Sequence, residues 1–552
     1  MTRPIFAAEN LSIGTAGGET VLRNISLSVS SDEIVALIGE SGSGKTTLSL
    51  SALGHIRPGL QVQGGRTLID GADVLRMSPA ELRKLRGRQV AYVAQSAAAA
   101  FNPSIRLRKQ VVEGAIVRGT FKPDQAFVAA ENLFRVLELP DPQTIGRRFP
   151  HQVSGGQLQR FMAAMGLIES PKLIVLDEPT SALDVTTQVE VLKAFKSAIR
   201  GRRTAALFVS HDLAVVAQIA DRIAVMFHGE ILEEGKTADI LQRPQHAYTK
   251  QLLSAFRNLE AGPETGSASA VPAPADEPVL EARDIAVRFG NVVAVDQVSL
   301  AVKPREIVAV VGESGSGKST FALALSGLVP YEGDLKLNGQ HTPPLVKARS
   351  KTALRKVQMV FQMADTALNP RQTVGAILGR VIDVFLGLPK QQKQERIAEL
   401  LRMVHLPEAY ATRRSSELSG GEKQRVNLAR ALAAEPEIVI CDEITSALDT
   451  VIVRTIVSLI RSLREKLGVA FVFISHDLST VSALADRVLV MRKGKIVETG
   501  ATAAVLSDPQ HPYTRLLVDS VPELRVGWLE EVSRGKDRSG EDELPASHAA
   551  HA

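Results

Sequence analysis

The octapeptide GESGSGKT at residues 39–46 returns as GESGSGKS at residues 312–319, each time directly after an apolar run. In a loop this rich in glycine, successive backbone N–H groups can turn inward around phosphate oxygens. The lysine adds a point charge, and the terminal hydroxyl suits Mg²⁺. Other landmarks also recur in pairs at one constant offset: SGG at Ser154 and Ser419, DE at Asp177 and Asp442, SALD at Ser181 and Ser446, SHDL at Ser210 and Ser475, and PQH at Pro244 and Pro509. A single offset across five landmarks implies two copies of one domain of about 250 residues, not a solenoid of short repeats. The expected organisation is a first domain at 1–260, a Pro/Ala-rich linker at 261–278, a second domain at 279–525 and a partly disordered tail at 526–552.

Within each copy, apolar runs of strand length alternate with helical stretches. They lie at 34–38, 173–176 and 205–209, then at 307–311, 438–441 and 469–474. Such runs suit a mainly parallel α/β sheet covered on both faces. A net charge of +5 from 65 basic and 60 acidic residues is too weak to argue for nucleic acid. One cysteine excludes a disulfide scaffold. No apolar stretch is long enough to span a bilayer, so membrane work would need a separate polypeptide.

In the first loop the phosphate-binding candidates are Gly39, Ser41, Gly42, Gly44, Lys45, Thr46 and Thr47. In the second they are Gly312, Ser314, Gly315, Gly317, Lys318, Ser319 and Thr320. LIVLDE and IVICDE each end an apolar strand in two adjacent carboxylates. Successive side chains diverge at a strand end, so Asp177 and Asp442 can serve a metal shell while Glu178 and Glu443 reach an attacking water. In isolation, such a pair is more often a solvated strand end. Beside a phosphate loop in both copies, catalysis is the stronger reading.

VSGGQLQR at 153–160 and LSGGEKQR at 418–425 lie between the phosphate loop and the DE strand, and SALD and SHD follow. SGG alone would be an ordinary turn before a helix; in this order the segments resemble the signature of the ABC ATPases, over about 500 residues. The resemblance implies two tandem P-loop NTPase domains with RecA-like cores, each with antiparallel N-terminal strands beside its mainly parallel sheet and with a helical subdomain, at 103–153 and 370–418. It also implies head-to-tail pairing of the halves. One ATP site would then combine Lys45, Thr46, Gln95, Asp177, Glu178 and His211 with Ser419, Gly420 and Gly421. The other would combine Lys318, Ser319, Gln362, Asp442, Glu443 and His476 with Ser154, Gly155 and Gly156. Gln95 and Gln362 would join Thr46, Asp177, Ser319 and Asp442 around Mg²⁺, and Asp184 and Asp449 match the loop that crosses between the halves. Phe289 stands where the family stacks an aromatic on adenine, whereas the first copy offers Thr15 or Ala16, so weaker binding is expected at the first site. Glu422 replaces a glutamine and Ile444 a proline of the family pattern.

PQHAYT at 244–249 and PQHPYT at 509–514 resemble segments of bacterial oligopeptide, dipeptide and nickel importer ATPases. The implied role is an ATPase at the cytoplasmic face of the inner membrane that powers uptake of a small solute, peptides foremost. Two transmembrane permease subunits and, through them, a solute-binding protein would be its partners, with no nucleic acid. Cys441 lies inside an apolar strand, and no iron–sulfur cluster is expected. The competing reading is a two-domain ABC translation factor on ribosomes. That class carries a long charged helical arm between its domains, unlike the short Pro/Ala-rich linker here.

Overall fold

The computed structural model describes residues 3–181, 183–260, 277–446 and 448–532. Most of the linker and the tail beyond residue 532 therefore lie outside the described residues. The chain forms two compact units.

In the first unit, strands Thr20–Val29, Phe6–Thr15, Leu60–Ile69 and Ala72–Asp73 form an antiparallel sheet in that order. The second sheet runs Glu230–Lys236, Arg222–Phe227, Ile34–Ile38, Ala205–Val209, Leu173–Asp177, Val90–Val93, parallel except at its first pair. The central strands Ile34–Ile38, Leu173–Asp177 and Ala205–Val209 are buried at every residue, because both faces are covered. Thr20–Val29 instead alternates between buried and exposed toward its end, as a half-solvated strand does. Phe6, Leu11, Ile13 and Leu22 meet Val35, Leu37, Leu48, Leu207 and Met226 in one apolar core. Helices Leu107–Val117 and Pro123–Val136 form the expected helical subdomain.

The second unit repeats this plan. Its antiparallel sheet runs Val292–Val302, Leu280–Phe289, Glu332–Leu337, Gln340–His341. Its mixed sheet runs Val357–Val360, Ile438–Asp442, Ala470–Ile474, Ile307–Val311, Arg487–Arg492, Lys495–Ala501. Leu280, Ile285, Val308, Val310, Phe321, Ile440, Val472 and Met491 fill its core. Cys441 is fully buried in a central strand, and burial pushes its thiol up.

The units do not coincide with the halves read from sequence. Residues 519–532 belong to the first unit, while 183–186 and 252–260 belong to the second. The part of the expected tail that is described is packed: Trp528 and Leu529 are buried. The Gln218 amide donates to the carbonyls of Glu523 (2.7 Å) and Arg525 (3.0 Å) and accepts from the Leu529 N–H at 3.1 Å. Lys196 pairs with Glu530 at 2.5 Å. Nothing in the composition of 519–532 marks this docking, because its partners on helices Val185–Arg200 and Leu213–Ile219 are some 300 residues away in sequence.

Candidate phosphate-binding and hydrolytic sites

Strand Ile34–Ile38 delivers the chain into the first glycine loop, and Gly44 in the left-handed region (φ 100°) starts helix Lys45–Ser51. Gly39 is also obligatory: its φ is +144°, and a Cβ there would lie 2.0 Å from the Met226 carbonyl oxygen. Lys45 is 6 % exposed, and its Nζ donates to the carbonyls of Gly39 and Glu40, each at 2.7 Å. The second loop matches it, with Lys318 on the carbonyls of Gly312 (2.8 Å) and Glu313 (2.7 Å). Burial lowers the pKa of the Lys318 ammonium despite Glu443 and neighbouring acids. Both lysines thus rest on backbone carbonyls, beside backbone N–H groups that an anion would draw together.

The DE pairs stand across from these loops. Thr46 Oγ1 donates to Asp177 at 3.3 Å, and Ser319 Oγ donates to Asp442 at 3.0 Å. A hydroxyl beside one carboxylate is a hard-oxygen donor set of the kind Mg²⁺ takes up together with phosphate oxygens. Burial raises the pKa of both aspartates, against the hydrogen bonds they accept.

Glu178 and Glu443 each adopt φ 47°, an uncommon conformation for a non-glycine residue that stores strain. Their N–H groups bond to the carbonyls ending the neighbouring strands, Val209 (2.9 Å) and Ile474 (3.0 Å). Glu178 accepts from Gln95 Nε2 at 2.8 Å and meets His211 Nδ1 at 3.1 Å. Glu443 accepts from Gln362 Nε2 at 2.8 Å and lies 3.5 Å from His476 Nδ1. Burial alone would raise each glutamate, but the histidine, followed by the loop lysine, holds it below the usual carboxylate range. The same contact overrides the effect of burial on His211 and His476 and raises both.

A pH dependence follows for the protein free of nucleotide and divalent cation. The lowered glutamate contributes stability above its ordinary value of 4.5 that is lost as pH falls through its folded value. The raised imidazole contributes below 6.5 and loses that contribution as pH rises through its folded value. His211→Asn is therefore expected to lower the melting temperature most between these limits and progressively less toward alkaline pH. A flat difference across thermal scans from pH 5 to 9 would contradict the ion pair.

The signature serines cap helices. Ser154 and Gln157 form a reciprocal capping box on Gly155–Leu167, and Ser419 and Glu422 do so on Gly420–Leu432. A Cβ on Gly156 would lie 2.0 Å from Thr187, and one on Gly421 2.8 Å from Ile452, so both glycines are set by close helix contact. The signature helices also reach the glutamine loops, with Gln159 Nε2 on the Ala94 carbonyl and Asn427 Nδ2 on that of Phe361, each at 3.3 Å. Asp449 caps helix Thr450–Leu467 through the Ile452 N–H. Asp184 belongs to the second unit, where it accepts from the Ser314 N–H at 3.3 Å.

A cavity of about 460 Å³ opens at the second loop, between Lys318, Gln362, Glu443 and His476 on one side and Val292, Val293 and Lys493 on the other. Its size suits a small-molecule ligand. Phe289, expected to stack on adenine, ends its strand 51 % exposed, whereas the cavity wall is built by the two valines across the turn. In the first unit Thr15 Oγ1 accepts from the Glu19 N–H inside a longer turn.

Sequence reasoning missed Tyr92, whose hydroxyl donates to Asp177 at 2.9 Å. A lone tyrosine in the apolar run VAYV was the available signal, since a buried phenol needs a partner. Met359 takes its place in the second unit, so among the described residues only Asp177 has this bond.

Two stretches, 22–181 and 295–446, match the ABC transporter family, and together they cover more than half of the chain. The chain belongs to the ABC transporter family. The ABC chain also matches the oligopeptide/dipeptide transporter C-terminal region at 232–278 and 497–546. It is 37% identical to the glutathione import ATP-binding protein GsiA of Escherichia coli O157:H7 over 94% of its own length and 89% of the relative's. The GsiA protein of Shigella flexneri is 36% identical with the same coverage. Among solved structures, cbiO1 from Clostridium perfringens, part of the ABC transporter complex cbiONQ, aligns with 42% of the ABC chain and 92% of its own at a TM-score of 0.39 and 23% identity. Among the described residues, no helix is long and apolar enough to cross a membrane.

Proposed function

We propose that this chain is the ATP-hydrolysing subunit of an importer for short peptides, glutathione among them, working through separate permease subunits at the cytoplasmic membrane face. The observation that carries this reading is likeness to glutathione import ATPases along nearly the whole chain, together with the peptide-transporter C-terminal region in both halves. The ribosomal alternative finds no support among these relatives.

In the proposed mechanism Lys45 and Lys318 extend their ammonium charge to the phosphates, and the loop N–H groups close around the same oxygens. Thr46 with Asp177 and Ser319 with Asp442 would hold Mg²⁺, with Gln95 and Gln362 beside them; when bound, the ion neutralises phosphate charge. Glu178 and Glu443, ionised and aimed by their histidines, accept the proton of the attacking water. Ser419, Gly420 and Gly421 would cover the first site, and Ser154, Gly155 and Gly156 the second, with helix N-termini facing the γ-phosphate. The glutamine loops would pass closure on to the permeases, and a solute-binding protein would select cargo.

Affinity purification of the tagged chain from detergent-solubilised cells tests this reading. Hydrophobic permease subunits are expected in the eluate, and vesicles holding the purified complex should take up labelled glutathione or dipeptide only with ATP. Ribosomal particles in the eluate, or uptake independent of ATP, would refute it.

A further inference from the structure

The peptide group joining Gly39 to Glu40 is held from two sides. Its carbonyl accepts from Lys45 Nζ at 2.7 Å, and its N–H donates to the Tyr248 hydroxyl at 3.2 Å. The second unit repeats the arrangement at the Gly312–Glu313 peptide, with Lys318 at 2.8 Å and Tyr513 at 2.9 Å. The tyrosines are those of PQHAYT and PQHPYT, which lie far from the loops in sequence.

Each motif is a rigid turn. Glu498 accepts from the N–H groups of Gln510 (2.9 Å) and His511 (3.0 Å), and His511 Nδ1 accepts from the Tyr513 N–H at 3.1 Å. Glu233 and His246 do the same for Gln245, His246 and Tyr248. Tyr513 is 2 % exposed, with the Arg492 guanidinium over its ring at 4.7 Å, and burial pushes its phenol up to about 12. Tyr248 packs on Phe227 instead, at 4.4 Å between ring centroids. The turn thus brings a fixed, neutral oxygen to the loop backbone.

The peptide needs such an anchor. Gly39 and Gly312, at φ +144° and +148°, occupy backbone space that few other residues reach, and glycine puts little restraint on rotation of the peptide after it. The lysine cannot secure that peptide alone, because bound phosphates would share its ammonium with the carbonyl. We propose that Tyr248 and Tyr513 are positioning residues for nucleotide binding, their hydroxyls holding the first peptide of each phosphate loop in its binding orientation while the lysine serves the phosphates. The inference rests on the ATP-site reading above.

Tyr513→Phe keeps the ring and removes the anchor. Titration of the full-length chain with a non-hydrolysable ATP analogue is expected to show about 2–10-fold weaker binding at the second site, the range of one net hydrogen bond. KM for ATP should rise while kcat stays within about twofold, and the analogue-induced rise in melting temperature should shrink. Tyr248→Phe should act in the same direction but less strongly, given its longer contact. A Tyr513→Phe protein with a lower melting temperature but unchanged analogue affinity and KM would overturn the positioning role and leave the ATP sites standing. Failure of the wild-type chain to bind the analogue would overturn both.

Discussion

Replacing Glu178 and Glu443 together by glutamine is expected to lower ATP turnover by about 10²–10⁴-fold, the usual worth of a positioned general base. Nucleotide affinity should be preserved. Glutamine has the same length, its amide oxygen can accept from Gln95 or Gln362, and its NH₂ can face the histidine ring. The variant should hold ATP without consuming it, and solute uptake should stop. Each single substitution reports on one site. Since both halves have the same strained glutamate, histidine contact and glutamine contact, each single variant should retain substantial turnover if the sites fire independently, and little if they fire only together. Steady-state phosphate release with a parallel nucleotide titration checks this, and unchanged turnover in the double variant would remove the glutamates from catalysis.

The second large effect concerns the lysines. Lys45→Ala and Lys318→Ala each delete a buried ammonium, and the loss of charge-assisted bonds to phosphate should weaken ATP binding at the altered site by about 10–100-fold. The surviving sites should differ. In the second unit the cavity wall carries Val292 and Val293, while the corresponding strand start of the first unit carries Glu19 and Thr20. With less apolar surface to offer a base, the intact site of Lys318→Ala should bind ATP about 3–10-fold more weakly than the intact site of Lys45→Ala, the difference of one or two buried methyl groups. Equal affinities would remove the proposed asymmetry.

These expectations show which kinds of information local sequence carries. The central strands were legible because a strand buried on both faces must be apolar throughout, and the loops because only glycine tolerates a φ near +100° at Gly44 and Gly317. The signature serines were legible as helix starts, with the capping partner three residues on. Other features depended on distant partners. The φ of Glu178 is set by a hydrogen bond to Val209, thirty-odd residues away, and nothing in DE foretells it. Phe289 was assigned from its place in a family pattern, but the geometry of its turn leaves the cavity wall to Val292 and Val293. PQHPYT was noticed for its recurrence, yet its contact with the phosphate loop became apparent only from folding.

The route of the chain, which leaves the first unit at Gln251 and returns to it at Asp519, has a consequence for biosynthesis. Trp528, Leu529 and the backbone that satisfies Gln218 leave the ribosome only after the second unit has been made. At typical elongation rates of about 5–20 residues per second, the nascent first unit waits roughly 15–50 s with those helix surfaces bare. A chain cut short at the linker would keep them bare permanently, whereas the longer polypeptide seals them with the segment that follows its second unit.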